Sequence, residues 1–471
     1  MIYSRGLSRF LEHRPDALDV LELEPQTLWF ADDPIRGPFR PFAPAMAAFA
    51  ELPQRKLVHS VGMPLGGTRR PNSNQLALVR AAAETLDSPW ISEHLSVAGT
   101  PHRAAGFLLP PLQTEEGVAA AAANIRTFND GVGRPVAVET GTAYIRRKPF
   151  EMRDGAFLAR VVREADCGIL LDIHNIYCNE RNGRILIDDF IADIPLDRVW
   201  EVHLAGGGEM DGFYLDAHSG PMAGDIRARA EEVIRHLPNL GAINFEIYDS
   251  FLDGISLEAF DDIIADLRDL WNQAGRDAGR AHETAATTAT AGAPAVREPS
   301  PRQWEEGLTA AIARPEATPG LFRDDGKALS LYSKLVSSFR GSLLTRSLPR
   351  GMRYLILREG DAIDTMLAAF FAAVPAQLYA PLEAHAFARW IRAEPQEDTL
   401  LDALIAYDLA LVDMARDPAP RVVHFPGDPV PIFEALSEAR LPAPPEPPAW
   451  ELEILPDQAV AERLPGSAGG S

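Results

Sequence analysis

Short apolar runs alternate with longer amphipathic segments along the first half of the chain. Such runs are typical of buried strands, and the segments between them, such as residues 75–86, 115–129 and 225–236, have the length and patterning of helices. The strand candidates are residues 18–23, 56–61, 89–93, 135–139, 168–173, 198–204 and 242–247. Alternation of strand and helix predicts parallel strands, and therefore an α/β domain.

Seven or eight strand–helix units in about 250 residues favour a TIM-like (β/α)8 barrel. An open, doubly wound sheet is the alternative, because both architectures are built from the same alternating units. The periodicity does not locate an eighth strand. We therefore expect a barrel over residues 1–271.

The alternation of strand and helix patterns ends at about residue 271. Residues 272–301 predict a flexible linker, because the run 283–295 is mainly Ala, Thr, Gly and Pro and has no apolar periodicity. Residues 302–440 predict a mainly helical α+β domain, and residues 441–471 form a tail rich in Pro and Gly. The helices are expected at residues 304–313, 328–339, 361–374, 382–392 and 399–416, with a short strand at 421–425.

Charge and composition narrow the possible partners. The net charge of −22 over 471 residues argues against unspecific binding to nucleic acid or anionic lipid. Two cysteines do not make a disulfide framework. The first 15 residues lack the apolar run of a signal peptide, and the longest apolar stretch, residues 366–374, is far shorter than the ~20 residues that span a bilayer. The expected location is the cytoplasm, without nucleic-acid or membrane partners.

Histidine and carboxylate residues recur where the predicted strands end. They are His59, Glu93, His94, Glu139, Asp172, His174, His203 and Glu246, and Asp216 and His218 lie in the loop after the sixth strand. One such residue alone would be interpreted as an ordinary loop or helix-start residue. Five of the eleven histidines, however, fall on the same face of the predicted topology. Because the carboxyl ends of barrel strands meet at one face, this pattern predicts a metal site there.

The kinds of ligand restrict the metal. Imidazole and carboxylate suit Zn, Fe, Mn, Co or Ni, and the lack of thiolates disfavours a structural zinc site. About nine ligands are too many for one ion that takes about four to six, so two or three carboxylate-bridged ions are expected. Ligand type does not choose between iron, manganese and zinc. The Gly-rich run 62–68 lacks the Lys-Ser/Thr of a phosphate-binding loop.

Several short phrases stand out in this half of the chain. They are Val58-His59-Ser60-Val61-Gly62, Ser92-Glu93-His94-Leu95, Leu108-Leu109-Pro110, Val138-Glu139-Thr140, residues 170–175, residues 201–206 and Asp216-Ala217-His218. Together they resemble the multinuclear non-haem iron-dependent oxidative enzymes. Each phrase alone is short, but their order and spacing extend over the whole first half.

The resemblance implies a xylose-isomerase-like TIM barrel that binds two or three iron ions, uses O₂ and modifies a residue, often cysteine, of a ribosomally synthesised precursor peptide. Carried over by position, the metal ligands would be His59, His94, Glu139, Asp172, His174, His203, Asp216, His218 and Glu246. The chain departs from the family pattern at three places. His174 stands where many members have Asn, Thr140-Gly141 replaces Asn-Pro, and Gly207 replaces a common His.

The second domain carries a local charge bias. Residues 326–358 hold seven Lys or Arg and no Asp or Glu. One interpretation is a solvated basic face, or a basic face docked on the acidic barrel. The other is a surface that binds the acidic leader region of the precursor peptide, through Arg346, Arg350 and Arg353. The domain also resembles the separate partner proteins that accompany this family, here fused in one chain.

The resemblance therefore implies an iron- and O₂-dependent oxidase that acts on a precursor peptide. Two alternatives stay open. A redox-neutral sugar isomerase or phosphodiesterase on the same barrel would use Mn, Mg or Zn and would work without O₂. A non-catalytic scaffold would hold metal only to stabilise the barrel.

Overall fold

The computed structural model describes residues 1–33, 35–278, 298–315, 320–393 and 398–456. Most of the predicted linker and half of the predicted tail, residues 279–297 and 457–471, lie outside the described residues. The chain divides into two compact units. The first comprises residues 1–26, 49–101 and 108–332, and the second residues 27–48, 102–107 and 333–471. The predicted domain ranges are continuous along the chain, whereas the second unit also includes residues 27–48 and 102–107 from the first half.

Parallel strands form the sheet of the first unit and follow one another in sequence order. In the described residues there are seven, Val20–Leu23, Arg55–Ser60, Ile91–His94, Val136–Glu139, Gly168–Asp172, Val199–Ala205 and Ala242–Glu246. Every residue of the fifth strand is buried, as expected for a parallel sheet covered on both faces. All seven strand candidates are confirmed, with ends shifted by at most two residues.

The two ends of this sheet meet. Asn244 on the seventh strand donates a hydrogen bond from Nδ2 to Oε2 of Glu22 on the first strand, at 3.2 Å. Ile2 adds a single parallel bridge to Glu22, on the edge of the first strand that the second strand leaves free. The predicted TIM-like barrel is confirmed, with seven strands instead of eight among the described residues. The open-sheet alternative is wrong, because its strand order would reverse and its edges would stay apart.

Helices surround the strands, and their ends follow from capping. The Asn72 side chain accepts hydrogen bonds from two backbone N–H groups at the start of Ser73–Thr85, and Thr114 caps Glu115–Val132. Gly133, with φ 67°, ends the latter helix in the left-handed region. The other helices up to residue 273 are Arg5–His13, Ala43–Ala50, Asp154–Ala165, Ile173–Arg181, Ile187–Asp193, Gly224–Ile234, Asp249–Leu252 and Leu257–Gln273.

The helix Pro301–Ala313 belongs to the barrel unit, although it follows the predicted linker. Trp304 is buried and donates its indole N–H to the carbonyl of Pro110 at 3.0 Å. Glu305 is also buried and accepts the backbone N–H of Thr68 at 2.5 Å. Thr68 follows the second barrel strand, and Pro110 lies in the connection between the third barrel strand and Glu115–Val132, so this helix packs against connections of the barrel unit.

The second unit is mainly helical, as predicted. Its helices are Pro349–Glu359, Ala362–Ala373, Ala380–Ala393, Thr399–Met414, Pro429–Ser437 and most of Gly326–Ser347. The strands Arg421–Phe425 and Trp450–Ile454 pair antiparallel, as do Trp29–Ala31 and Phe39–Pro41. Phe370, Phe387 and Leu404 lie in its apolar core. Each helix in the described part of the chain is too short or too polar to cross a lipid bilayer.

Candidate metal centre

The ends of the second, third and fourth barrel strands bring three side chains together. Nε2 of His59 and Nε2 of His94 lie 3.5 and 3.3 Å from Oε2 of Glu139. Nδ1 of His59 lies 2.8 Å from the Ser92 hydroxyl, which leaves Nε2 to face Glu139. One ligand atom from each of the three residues lies within 4.8 Å of the others, a spacing compatible with one shared ion.

Glu139 also belongs to a second group, with Asp172 and His203, whose ligand atoms again lie within 4.8 Å of one another. Asp172 ends the fifth strand and caps Ile173–Arg181 by accepting the backbone N–H of Asn175 at 2.8 Å. The Asn175 amide donates to Oδ2 of Asp172 at 2.7 Å and to Oε1 of Glu139 at 3.3 Å. One amide thus orients two carboxylates, one of which, Glu139, belongs to both groups.

The remaining predicted ligands continue the cluster. Nε2 of His218 lies 2.9 Å from Oδ1 of Asp216 and 2.9 Å from Oε2 of Glu246. The other oxygen of Glu246 lies 2.9 Å from Nδ1 of His203, and Nε2 of His174 lies 3.6 Å from Oδ1 of Asp216. The structure therefore brings together all nine residues that the sequence predicted as ligands.

The backbone of His218 is strained. Its φ is 47°, in the left-handed region that residues with a Cβ rarely adopt. The Tyr248 N–H donates to the His218 carbonyl at 3.1 Å, and the two rings lie 4.7 Å apart. Such conformations persist where surrounding contacts hold them, often at functional sites. In this conformation the imidazole lies against Asp216 and Glu246.

Burial and crowding shift the protonation equilibria of the cluster. Burial lowers the pKa of His59. Burial also lowers the pKa of His94, but the neighbouring carboxylates Glu139 and Glu93 outweigh it and raise that pKa to about 9. Burial raises the pKa of Asp172, and the negative charge of Glu139 adds to this effect. A cation at this place would relieve the repulsion between the carboxylates.

Several buried ligand atoms lack a hydrogen-bond partner among the described residues. They are Nδ1 of His94, Oε2 of Glu139, Nδ1 of His174, Nδ1 and Nε2 of His203, Oδ1 of Asp216 and Nε2 of His218. Leaving polar atoms buried without partners is costly. Metal–ligand distances of about 2.0–2.2 Å place neighbouring ligand atoms about 3 Å apart, similar to the closest contacts here. The donor set therefore fits metal ions bound by imidazole and carboxylate.

Sequence reasoning missed a layer of carboxylates next to the ligands. Glu22 and Glu201 are fully buried, with oxygens 3.0 and 3.7 Å from Nε2 of His203. Strand periodicity could have found Glu201, because it precedes His203 by two residues and so shares its face. Glu93 accepts hydrogen bonds from the Ser60 hydroxyl and the Met63 N–H, at 2.7 and 2.9 Å, and supports the loop after the second strand.

The three arginines that the sequence predicted as peptide contacts lie on helices of the second unit. Arg346 is exposed. Arg350 is half-buried, and its backbone N–H donates to Asp408 at 2.9 Å. Arg353 donates to the carbonyl of Leu436 at 3.1 Å. Arg350 therefore contributes to the fold of this unit, whereas Arg346 presents its charge to solvent.

The segment that holds all nine predicted ligands matches a known family. Residues 42–251 match the family model described as RiPP precursor modification enzyme MbnB/TglH/ChrH. The resemblance predicted from the short phrases is thereby confirmed for this segment. The fused partner-like domain stays a prediction.

Relatives and solved structures match part of this chain. A UPF0276 protein of Chromobacterium violaceum is 35% identical over 180 residues, which cover 38% of this chain and 65% of that protein. A UPF0276 protein of Streptomyces avermitilis is 32% identical over 171 residues, 35% of each chain. The chain thus spans just under two thirds of the Chromobacterium relative. A D-allulose 3-epimerase from Methylomonas sp. in complex with D-allulose has a TM-score of 0.37 and 14% identity, covering 57% of this chain and 88% of that chain.

Proposed function

We propose that this chain is a metal-dependent oxidase that modifies a residue, expected to be a cysteine, of a ribosomally synthesised precursor peptide. The observation that carries the proposal is the single cluster of nine His and carboxylate side chains at the strand ends. It lies within the segment matched by a family model for precursor-peptide modification. The proposal includes two or three iron ions as cofactor and O₂ as co-substrate. Bound iron would supply one-electron redox chemistry and an open position for O₂.

In this proposal some residues bind the metal ions and others orient those ligands. Glu139 would contribute ligand atoms to both groups, because it belongs to each of them. Ser92 and Asn175 orient the ligands, through the hydrogen bonds to His59 and to the two carboxylates. Supporting contacts of this kind commonly tune the affinity of a metal site.

Exposure suggests the side from which the peptide enters. The side chains of His94, His218 and Asp216 are 14, 14 and 22% exposed. Those of His59 and His203 are 2 and 0% exposed. We expect the substrate to approach across His94, His218 and Asp216, while the buried ligands keep water from the far side of the cluster.

Metal content and spin state, measured by elemental analysis and Mössbauer spectroscopy on protein purified without air, test the proposal. Two or three irons per chain are expected, with loss of metal on His94→Ala or Asp216→Ala. His385→Ala is the matched control, because that imidazole pairs with Asp413 in the second unit. Zinc or manganese without iron, from cells supplied with iron, would favour the isomerase or phosphodiesterase. Bound metal without O₂ consumption would favour the scaffold.

A further inference from the structure

The side chains beneath the predicted ligands are unexpectedly polar for a barrel interior. Glu22, Glu201 and Asn244, on the first, sixth and seventh strands, are all fully buried. Branched apolar residues normally fill this layer, and a buried carboxylate is costly unless it is partnered. Glu201 precedes His203 by two residues and therefore points to the same face of its strand. The buried side chains of this layer therefore lie next to a predicted metal ligand, His203, and can orient it.

His203 lies between this layer and the metal cluster. Its Nδ1 lies 2.9 Å from Oε1 of Glu246. On the opposite side of the ring, Nε2 lies 3.0 Å from Oε2 of Glu22. A neutral imidazole carries one N–H, so the nitrogen that binds a metal is free only if the other holds the proton. A group that accepts a hydrogen bond from Nε2–H therefore keeps the proton on Nε2 and leaves Nδ1 free to bind a metal ion.

We propose that Glu22 is a positioning residue for His203. Its carboxylate accepts the Nε2–H and fixes the tautomer in which Nδ1 presents its lone pair to the cluster. Nε2 of His203 and Oε2 of Glu22 are 3.0 Å apart, which is the separation of a hydrogen bond. Asn244 holds the carboxylate in place by donating to Oε2 of Glu22 at 3.2 Å.

Glu201 is the rival for this role, and its geometry is less favourable. Its nearest oxygen lies 3.7 Å from Nε2 of His203. That oxygen accepts the Asn244 amide at 2.5 Å, and the other accepts the Trp90 indole N–H at 2.8 Å. Oε1 of Glu22, by contrast, has no hydrogen-bond partner among the described residues, so this carboxylate can adjust towards the imidazole.

The inference rests on the metal binding proposed above, and one spectroscopic experiment separates the two. Full-length protein labelled with ¹⁵N-histidine is stripped of metal with a chelator and loaded with zinc, which is diamagnetic. The expected NMR signature of His203 is a proton on Nε2 and a metal-shifted Nδ1. A proton on Nδ1 would overturn the role of Glu22. Failure of the wild-type protein to bind either zinc or iron would overturn the proposed function instead.

Three variants add a quantitative test by chelator competition with zinc. Glu22→Leu removes the acceptor and should weaken zinc binding about 10–100-fold. Glu22→Gln keeps an acceptor oxygen and should restore most of the affinity. Glu201→Gln is the matched control, equally buried in the same layer, and should stay near the wild-type affinity. Equal losses in Glu22→Leu and Glu201→Gln would contradict the proposal. Should Glu22→Leu not fold, the proton position in the wild-type protein decides alone.

Discussion

The interiors of the barrel unit and of the second unit both contain buried charges, but they treat those charges differently. In the second unit the guanidinium of Arg340 is buried, and its Nε donates to Oε1 of Glu383 at 2.6 Å. Asp408 is likewise buried and accepts two backbone N–H groups. In the barrel, the imidazoles and carboxylates of the metal cluster face one another, and several of their atoms have no hydrogen-bond partner among the described residues.

The two regions therefore differ in how their buried charges are stabilised. In the second unit the stabilising partner belongs to the fold, whereas in the barrel we expect it to be a bound cation. The two charges of the Arg340–Glu383 pair neutralise each other, although Nη2 of Arg340 has no hydrogen-bond partner among the described residues. A cluster of acceptors and lone pairs at similar depth remains costly until a cation joins it. Burial of charge alone is therefore a weak sign of function, whereas burial without partners is a stronger one.

The largest effect should follow the loss of Trp304, which joins a helix beyond the predicted linker to the barrel unit. Trp304→Ala should lower the free energy of unfolding by about 3–5 kcal/mol, because it opens a cavity and leaves the Pro110 carbonyl without its donor. Chemical denaturation measures it. Trp271→Ala is the control, since that side chain is 47% exposed in the same unit. Equal stability of the two variants would show that Pro301–Ala313 is dispensable to the barrel.

A comparable but localised effect is expected from breaking the closed charge pair of the second unit. Arg340→Ala leaves Glu383 buried without its counter-charge and should destabilise this unit by about 3–5 kcal/mol. Metal content should not change. The double variant Arg340→Met with Glu383→Leu removes both charges and should recover most of the loss. Hydrogen exchange of peptides from residues 333–456 follows the unit directly, and unchanged protection in Arg340→Ala would refute the comparison.

A smaller effect is expected from removing a residue that orients the predicted metal ligands of the barrel but is not itself a ligand. Asn175→Ala removes the amide that orients Asp172 and Glu139, and should weaken metal binding about 10–100-fold. Asn179→Ala is matched to it, because Asn179 is buried on the same helix but accepts the Ala143 N–H instead. Metal titration of both variants measures the difference. Similar affinities would mean that the carboxylates need no orientation by Asn175.

The smallest change in stability should come from the exposed arginines of the second unit. Reversing Arg346 to Glu should alter the free energy of unfolding by less than about 0.5 kcal/mol. Reversing Arg353 to Glu also removes the hydrogen bond to Leu436 and should cost about 1 kcal/mol. If this surface binds an acidic leader, affinity for a labelled peptide rich in Asp and Glu should fall several-fold, as measured by fluorescence anisotropy. Arg389→Glu, an exposed reversal outside the basic segment, is the control. Unchanged affinity in the double variant would remove the proposed leader site.

Most of the barrel was accessible from the sequence because local rules decide it. A strand buried on both faces needs a continuous apolar run, and the helix after it needs a different period, so both can be recognised without the tertiary structure. The metal ligands were accessible for a related reason. Parallel strands place their carboxyl ends at one face, so position along the chain alone brought His59 and Glu246 into one predicted site.

The sequence by itself determined the strand–helix alternation, the helical character of the second unit and the nine residues of the candidate centre. Only the tertiary structure decided that the barrel has seven strands among the described residues, that Trp304 packs into the barrel unit, and that Glu22 reaches His203. The physical reason is the range of the interactions. Periodicity and capping act within a few residues, whereas Trp304 and Pro110 are 194 positions apart and meet only because the chain has folded.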